Sequence, residues 1–207
     1  MTVKNNLLRL LFFTLVITAI LVAVTHTPQF LKFYYPYPYR NLIELNAKEF
    51  GVDPLLVAAI IRTESHFRED AVSPKGALGL MQIMPETARW VAEQLNLGTL
   101  TDEQILSPEI NIKLGTWYLA SLLKEFNGRL DVAIAAYNGG RGRVSKWLHN
   151  NTWSGHYHDR HQIPFPETRQ FLYKVRAAYE KYQRLYSHEK SLSPTKNHVR
   201  INKVQDE

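Results

Sequence analysis

The sequence predicts an all-α domain preceded by an N-terminal hydrophobic helix, and two observations support the all-α class. First, a proline opens four segments whose apolar residues recur with helical spacing, at Pro54, Pro85, Pro108 and Pro166. Second, no stretch alternates between apolar and polar residues as a half-buried strand does. Hydrophobic residues make up 45% of the chain and charged residues 21%, which is typical of globular proteins. We therefore expect a helical body over residues 38–186.

The first element is an uncharged run, LLFFTLVITAILVAV, which follows the basic residues Lys4 and Arg9. With the two leucines before it, the run approaches the ~20 residues that span a bilayer. A buried core helix or a cleaved signal peptide are the alternatives. We expect residues 1–27 to be a transmembrane anchor or an uncleaved signal. Basic residues before the span place the rest of the chain outside the cell membrane.

The next segment, PQFLKFYYPYPYR, is rich in aromatic residues and is broken by prolines. We expect residues 28–40 to form a stalk whose rings suit the membrane interface, where tyrosine is enriched. At the other end of the chain, residues 187–207 are polar and are predicted to be a disordered tail.

The helices of the body follow from local start and stop signals. NLIELNAKEFG predicts a short helix that stops at Gly51, and Asp53 followed by Pro54 is a cap-then-proline start for a second helix. That helix should run through LLVAAIIRTES. Further helices are predicted over residues 85–98, 108–128, 130–140, 142–150 and 166–186.

Glu64 is the first candidate functional residue, because it ends an apolar helix. Leu56 and Ile60 lie on the same helical face as Glu64 at 3.6 residues per turn. A carboxyl at the edge of an apolar core loses hydration, which raises its pKa. A carboxylic acid that is protonated near neutral pH is what glycosidic bond cleavage requires. On periodicity alone, an exposed glutamate at a helix end is the alternative.

Composition excludes several classes of function. The chain has no cysteine, so disulfides, thiolate metal sites and a cysteine nucleophile are excluded. The net charge of +6 is spread along the chain, which suits an anionic polymer or a membrane surface better than a nucleic-acid groove. There is no HExxH motif. His156, His158 and His161 could hold a metal only if their segment were extended, and a polar loop is the favoured interpretation.

Several motifs extend the argument from Glu64. The segment ESHFREDAVSPKGALGLMQIMPETA closely resembles the signature of the lytic transglycosylases of the soluble-lytic-transglycosylase (SLT) class, which share a lysozyme-like fold. Downstream, AYNGGRGRV and IPFPETRQFLYKV resemble the Ala-Tyr-Asn-x-Gly element and the closing Pro-Glu-Thr helix of that family. The resemblance implies a catalytic domain over residues 41–186. The layout is similar to short membrane-attached members from Gram-positive bacteria.

The resemblance also implies roles for individual residues. Glu64 stands at the position of the single catalytic acid/base, and the Tyr137 hydroxyl is expected to approach its carboxyl. Ser73 is expected to face the acetamido region of the substrate, and Glu167 to contact sugar. The full set implied as substrate-binding is Ser73, Gln82, Met84, Tyr137, Asn138 and Glu167.

Two further expectations concern the loop after Glu64. Gly76 and Gly79 would let the backbone approach a ligand closely. Met81 and Met84 could each line the cleft or simply fill the core, and both alternatives stay open.

The implied activity is cleavage of the MurNAc–GlcNAc bond in peptidoglycan glycan strands, without water, to leave 1,6-anhydro-MurNAc ends. No second carboxylate is clearly placed, which fits attack by a group of the substrate. No metal, cofactor or nucleic acid is expected. A peptidoglycan-binding module and a lysozyme-type hydrolase on the same fold are the alternatives.

Overall fold

The structure is a computed structural model, which describes residues 2–25 and 27–187. It confirms the all-α class. The helices are α1 (Thr2–Thr25), α2 (Pro28–Tyr34), α3 (Arg40–Phe50), α4 (Pro54–Glu64), α5 (Pro85–Gln94), α6 (Asp102–Leu106), α7 (Pro108–Glu125), α8 (Leu130–Gly139), α9 (Arg141–His149) and α10 (Pro166–Tyr186), with a 3₁₀ helix at Tyr157–Gln162. The described residues contain no β-strand, only two isolated bridges in the loop after α4. The tail predicted over residues 187–207 lies, apart from Ser187, outside the described residues.

The predicted start and stop signals act as expected in the first two helices of the body. Gly51 ends α3 in the left-handed region with a φ of 70°. The Asp53 side chain caps α4 by accepting a hydrogen bond from the Leu55 amide at 3.0 Å. α5 ends at Gln94, earlier than predicted, because Asn96 already takes a left-handed conformation with a φ of 54°.

Three short elements were not predicted from the sequence: α2, α6 and the 3₁₀ helix. α2 forms the first half of the expected stalk, where the Thr27 side chain caps it by accepting a hydrogen bond from the Phe30 amide. α6 opens with a capping box in which the side chains of Thr101 and Gln104 bond each other's backbone amides. The TDEQ sequence carries that signature, so α6 could have been found. The 3₁₀ helix carries no comparable signal.

α4 lies at the centre of the fold. Its residues from Leu55 to Ile61 are all buried, and α10 crosses both α4 and α8. α7 packs against α3, α5 and α8. Because protein surrounds α4 almost completely, the carboxyl of Glu64 at its C-terminal end has little access to water.

A tyrosine-rich segment over residues 35–39, here called the tyrosine strap, lies against the C-terminal half of α10. Tyr182 donates a hydrogen bond to the Pro36 carbonyl at 2.7 Å, and Tyr186 donates one to the Tyr35 carbonyl at 2.8 Å. The Tyr35 and Tyr37 rings both contact the Tyr182 ring edge-on. The second half of the expected stalk is therefore fastened to the helical domain.

Removal of the tyrosine strap is expected to destabilise the domain. A chain that starts at residue 38 lacks Tyr35 and Tyr37, whereas a chain that starts at residue 28 keeps both. Aromatic pairs contribute about 1 kcal/mol each beyond their burial, so we expect a loss of roughly 3 kcal/mol in the free energy of unfolding. Thermal unfolding of the two chains checks this, since that loss lowers Tm by about 6–12 °C. Equal melting temperatures would show that the strap contributes nothing.

α1 presents apolar side chains to its surroundings. Leu10, Phe12 and Leu15 are each more than half exposed. In the described part of the chain, no helix taken singly has the length and apolar character needed to cross a membrane. Arg9–Thr25 and Pro28–Tyr34 meet that requirement together, as a pair bent by 65°.

Candidate active site

One cleft of about 790 Å³ brings together the residue implied as catalytic and all six residues implied as substrate-binding. It lies between the loop that follows α4, the end of α8 and the start of α10. Its lining includes Glu64, Ser73, Gln82, Met84, Tyr137, Asn138 and Glu167. Lys75, Arg143, Phe165 and Thr168 also line the cleft and were not anticipated.

Glu64 is the last residue of α4 and is only partly exposed. Burial, with a smaller contribution from the negative charge of Glu167, raises its pKa to about 8. The carboxyl is therefore mostly protonated at neutral pH. It can donate a proton to a bound group and afterwards accept one back.

Asn111 of α7 fixes the loop that forms one wall of the cleft. Its Oδ1 atom accepts a hydrogen bond from the Met81 amide at 2.7 Å. Its Nδ2 atom donates to the carbonyls of Leu78 and Ile105, both at 2.9 Å. The Asn111 side chain is fully buried, so these bonds form away from water.

Gly79 has a different role from the one expected. Its φ of 72° favours glycine, but a Cβ atom there would overlap the Asn111 side chain rather than a ligand. Gly79 makes room for the buried amide. Gly76, with a φ of 83°, has open space around it and can still allow close approach of a ligand.

Gln82 is held in an uncommon backbone conformation with a φ of 48°. Such a residue costs about 1–3 kcal/mol and persists only when its surroundings hold it. Here its Nε2 atom donates to the carbonyls of Ala71 and Gly79, both at 2.9 Å. Both amide hydrogens are thereby used, so Oε1 is the atom that Gln82 can offer to a sugar hydroxyl.

Tyr137 of α8 is bonded to the same loop and lines the cleft together with Glu64. Its hydroxyl donates to the Met81 carbonyl at 3.0 Å. Burial, followed by the charge of Glu64, raises the pKa of Tyr137 well above its usual range, so the phenol stays protonated. Because its single proton is given to Met81, the hydroxyl oxygen can act towards Glu64 only as an acceptor.

Asn138 and Ser73 are held on opposite walls. Asn138 Oδ1 accepts a hydrogen bond from the buried Thr168 hydroxyl at 2.8 Å, which ties α8 to α10. The Asn138 amide nitrogen is thereby oriented as a donor. Ser73 Oγ accepts from the Ala77 amide at 2.9 Å within its own loop.

Glu167 is paired with Lys75 across the mouth of the cleft, with 2.7 Å between carboxylate and ammonium. Both side chains are more than half exposed. Of the described acidic residues, only Glu64 and Glu167 line the cleft. The site therefore holds one partly buried acid and one solvated, paired carboxylate.

The two methionines have separate roles. Met81 is fully buried and lies against Gly115, so it fills the core. Met84 is 43% exposed and lines the cleft. The histidine segment is not extended as a whole, since His158 and His161 lie in the 3₁₀ helix and His156 immediately precedes it. Within residues 2–25 and 27–187, no group of three or more metal-ligating side chains is arranged to hold an ion.

These features define the class of protein: an all-α, lysozyme-like domain whose open cleft holds one carboxyl with a raised pKa. Residues 41–159 match the family model described as the transglycosylase SLT domain. The chain belongs to the transglycosylase SLT domain family.

Relatives and solved structures agree with this family. The chain is 36% identical over 160 residues to the soluble lytic murein transglycosylase of Escherichia coli K12. The aligned region covers 75% of this chain and 24% of the relative. The 70-kDa soluble lytic transglycosylase of E. coli matches with a TM-score of 0.71 at 34% identity, over 75% of this chain and 25% of that one. An inactive glutamate-to-glutamine mutant of the lytic transglycosylase Slt from Pseudomonas aeruginosa matches with a TM-score of 0.69 at 34% identity. The match covers 76% of this chain and 26% of that one. This chain thus spans about a quarter of the length of these relatives.

Proposed function

We propose that this protein is a peptidoglycan lytic transglycosylase that cleaves the bond between MurNAc and GlcNAc and leaves 1,6-anhydro-MurNAc ends. The observation that carries the proposal is Glu64, a single partly buried acid with a pKa of about 8 in a cleft of glycan size. The catalytic chemistry uses one residue and needs no cofactor.

The first step is protonation of the leaving group. Glu64 donates its proton to the oxygen that joins MurNAc to GlcNAc, and that bond breaks. The acetamido group of MurNAc stabilises the positive charge that develops at C1. Ser73 and the amide of Asn138 lie where they can orient this part of the substrate.

The second step closes the ring. The Glu64 carboxylate takes the proton of the MurNAc C6 hydroxyl, whose oxygen bonds to C1. Glu64 is thereby returned to its acid form and no water is consumed. Gln82 Oε1 and the Tyr137 hydroxyl are the nearby neutral groups that can accept hydrogen bonds from sugar or acid.

The rate of cleavage is expected to fall as pH rises through about 8. Only protonated Glu64 can donate to the glycosidic oxygen, and its raised pKa extends the acid form from the ordinary 4.5 to about 8. Above that value each pH unit lowers the protonated fraction tenfold. The measurement is kcat/KM for release of anhydro ends between pH 5 and 10. A midpoint near 4.5 would contradict the raised pKa.

A hydrolase and a binding module are the competing functions. A retaining or inverting hydrolase needs a second carboxylate, and Glu167 is solvated and paired with Lys75. Mass spectrometry of purified peptidoglycan after incubation with the full chain in detergent separates the three. Anhydro-MurNAc ends support the proposed lyase, reducing ends support a hydrolase, and no released fragments support a binding module.

We also propose that the N-terminal segment attaches the protein to the cell membrane, with the catalytic domain outside. The support is the row of exposed apolar side chains on α1 and the bent pair formed with α2. Co-sedimentation with phospholipid vesicles tests the attachment. The full chain should sediment with vesicles, and a chain that starts at residue 28 should stay in solution. Equal sedimentation of both would contradict this role for residues 1–27.

A further inference from the structure

The turn that follows Glu64 has a backbone that needs support. His66 and Phe67 both lie in the left-handed region, with φ of 53° and 63°. Bulky residues seldom take this conformation, and it persists only where the surrounding structure holds it. Residues 62–69, here called the catalytic turn, contain the end of α4 and the five residues after it. Contacts that hold this turn therefore also fix the place of Glu64.

Buried contacts hold the catalytic turn from the inside. The Ser65 side chain is fully buried, and its hydroxyl donates a hydrogen bond to the Leu80 carbonyl at 2.8 Å. The Arg68 amide and the Arg68 Nε atom both donate to the Ser65 carbonyl, each at 3.2 Å. These bonds tie the turn to itself and to the loop that forms one wall of the cleft.

The tyrosine strap holds the same turn from the outside. The Tyr39 hydroxyl donates a hydrogen bond to the Glu69 carboxylate at 2.8 Å. The Arg62 guanidinium lies over the Tyr35 ring, 4.2 Å from its centroid. Arg62 comes two residues before Glu64, and Glu69 comes five residues after it. The strap therefore contacts the catalytic turn on both sides of the acid.

The strap residues that make these contacts are themselves fixed. The Tyr39 carbonyl accepts a hydrogen bond from the Ile43 amide at 3.0 Å, at the start of α3. The Tyr35 carbonyl accepts one from the Tyr186 hydroxyl of α10. None of the four residues in the two contacts between strap and turn lines the cleft. Their effect on the reaction therefore passes through the turn.

We propose that Tyr35 and Tyr39 are positioning residues, which hold the catalytic turn so that Glu64 keeps its place in the cleft. The segment that leads in from the N-terminal apolar helices thereby takes part in setting up the reaction. A loosened turn moves the acid away from the glycosidic oxygen, and a small displacement of a reacting group lowers turnover. This inference rests on the proposed function, because that function makes Glu64 the proton donor.

The first test removes one contact and leaves the lining of the cleft unaltered, in the full chain in detergent. Tyr39→Phe deletes only the hydroxyl that bonds Glu69. We expect kcat for release of anhydro ends from soluble strands of alternating GlcNAc and MurNAc to fall about threefold, with KM unchanged. Tyr34→Phe is the matched control, since Tyr34 is 53% exposed on α2. It should leave both kcat and KM at their wild-type values.

Arg62 gives a second and independent test. Arg62→Met keeps a long apolar side chain against the Tyr35 ring but removes the cation, and we expect kcat to fall about threefold. Arg62→Lys returns a cation to the ring and should recover most of kcat. All rates are measured well below the unfolding transition of each variant. The positioning proposal is wrong if Tyr39→Phe acts no more strongly than Tyr34→Phe, if KM changes instead of kcat, or if Arg62→Lys is as slow as Arg62→Met.

Titration of Glu64, followed by ¹³C NMR of its carboxyl carbon, separates this inference from the proposed reaction. Burial raises the pKa of Glu64 to about 8, and the substitutions leave the neighbouring Glu167 and Tyr137 in place. A loosened turn admits water to the carboxyl, so Tyr39→Phe should shift the midpoint towards 4.5 by at least about half a pH unit. An unchanged midpoint would contradict the loosened turn. If wild-type protein releases no anhydro ends but the midpoint shifts, the proposed reaction fails and the positioning role stands.

Discussion

Replacement of Glu64 by glutamine is expected to lower peptidoglycan cleavage by at least about 1,000-fold while the domain stays folded. General acid–base catalysis contributes about 10²–10⁴ in rate, and here a single group would serve as acid in one step and base in the next. Glutamine matches the size of the side chain but can neither donate nor take up that proton. The measurement is the initial rate of anhydro-end release, with Glu93→Gln on the exposed face of α5 as the matched control.

Glycan binding by the same variant separates chemistry from structure. The Kd for a tetrasaccharide of alternating GlcNAc and MurNAc should change little, because the cleft keeps its shape. Substantial cleavage by the variant would show that another residue is the acid. Loss of binding together with activity would show that Glu64 acts mainly in substrate binding.

The same substitution should also stabilise the protein at high pH. Because the pKa of Glu64 is raised in the folded state, the folded protein holds this proton more tightly than the unfolded chain does. Stability from that proton is fully present below pH 4.5 and is lost as pH rises towards 8. Glutamine has no proton to lose over this range. The free energy of unfolding of the variant should therefore increasingly exceed that of wild type between pH 4.5 and 8.

Replacement of Asn111 by leucine is expected to lower the free energy of unfolding by about 4 kcal/mol. The substitution leaves the Met81 amide and the Leu78 and Ile105 carbonyls buried without partners, and each such group costs about 1–3 kcal/mol. The kcat/KM for cleavage should fall even under conditions where the variant is fully folded, because the freed loop carries Gln82. Urea denaturation gives the first quantity, and kcat/KM measured well below the unfolding transition gives the second.

Asn46→Leu is the matched control for this prediction. Asn46 is also buried, but its side chain makes one hydrogen bond, to the Leu42 carbonyl within its own helix. We expect a loss of about 1 kcal/mol there, with unchanged cleavage. Equal losses at the two positions would mean that Asn111 has no special role in holding the loop.

The helices were largely predictable because their signals are local. A proline after a capping residue and a glycine at a stop depend only on neighbouring residues, and Asp53 and Gly51 act as the sequence indicated. The position of Glu64 at the end of a buried helix was predictable for the same reason. Its raised pKa followed from the loss of water around that helix.

Long-range contacts were not predictable in this way. Lys75 and Glu167 meet across 92 positions, and Asn111 reaches Met81 across 30, with no local pattern to mark either pair. The role of Gly79 was misjudged for the same reason, since the side chain that crowds it comes from α7. Family motifs named the residues of the cleft, but not the network that fixes their geometry.

The tyrosine strap has a mechanical consequence. It is fastened at Tyr182 and Tyr186, whereas Glu167 and Thr168 stand at the cleft on the same helix. At 1.5 Å per residue, about 20 Å of helix separates the two attachment regions. We therefore expect a pull on the N-terminus to act first on the far end of α10, away from the end that lines the cleft.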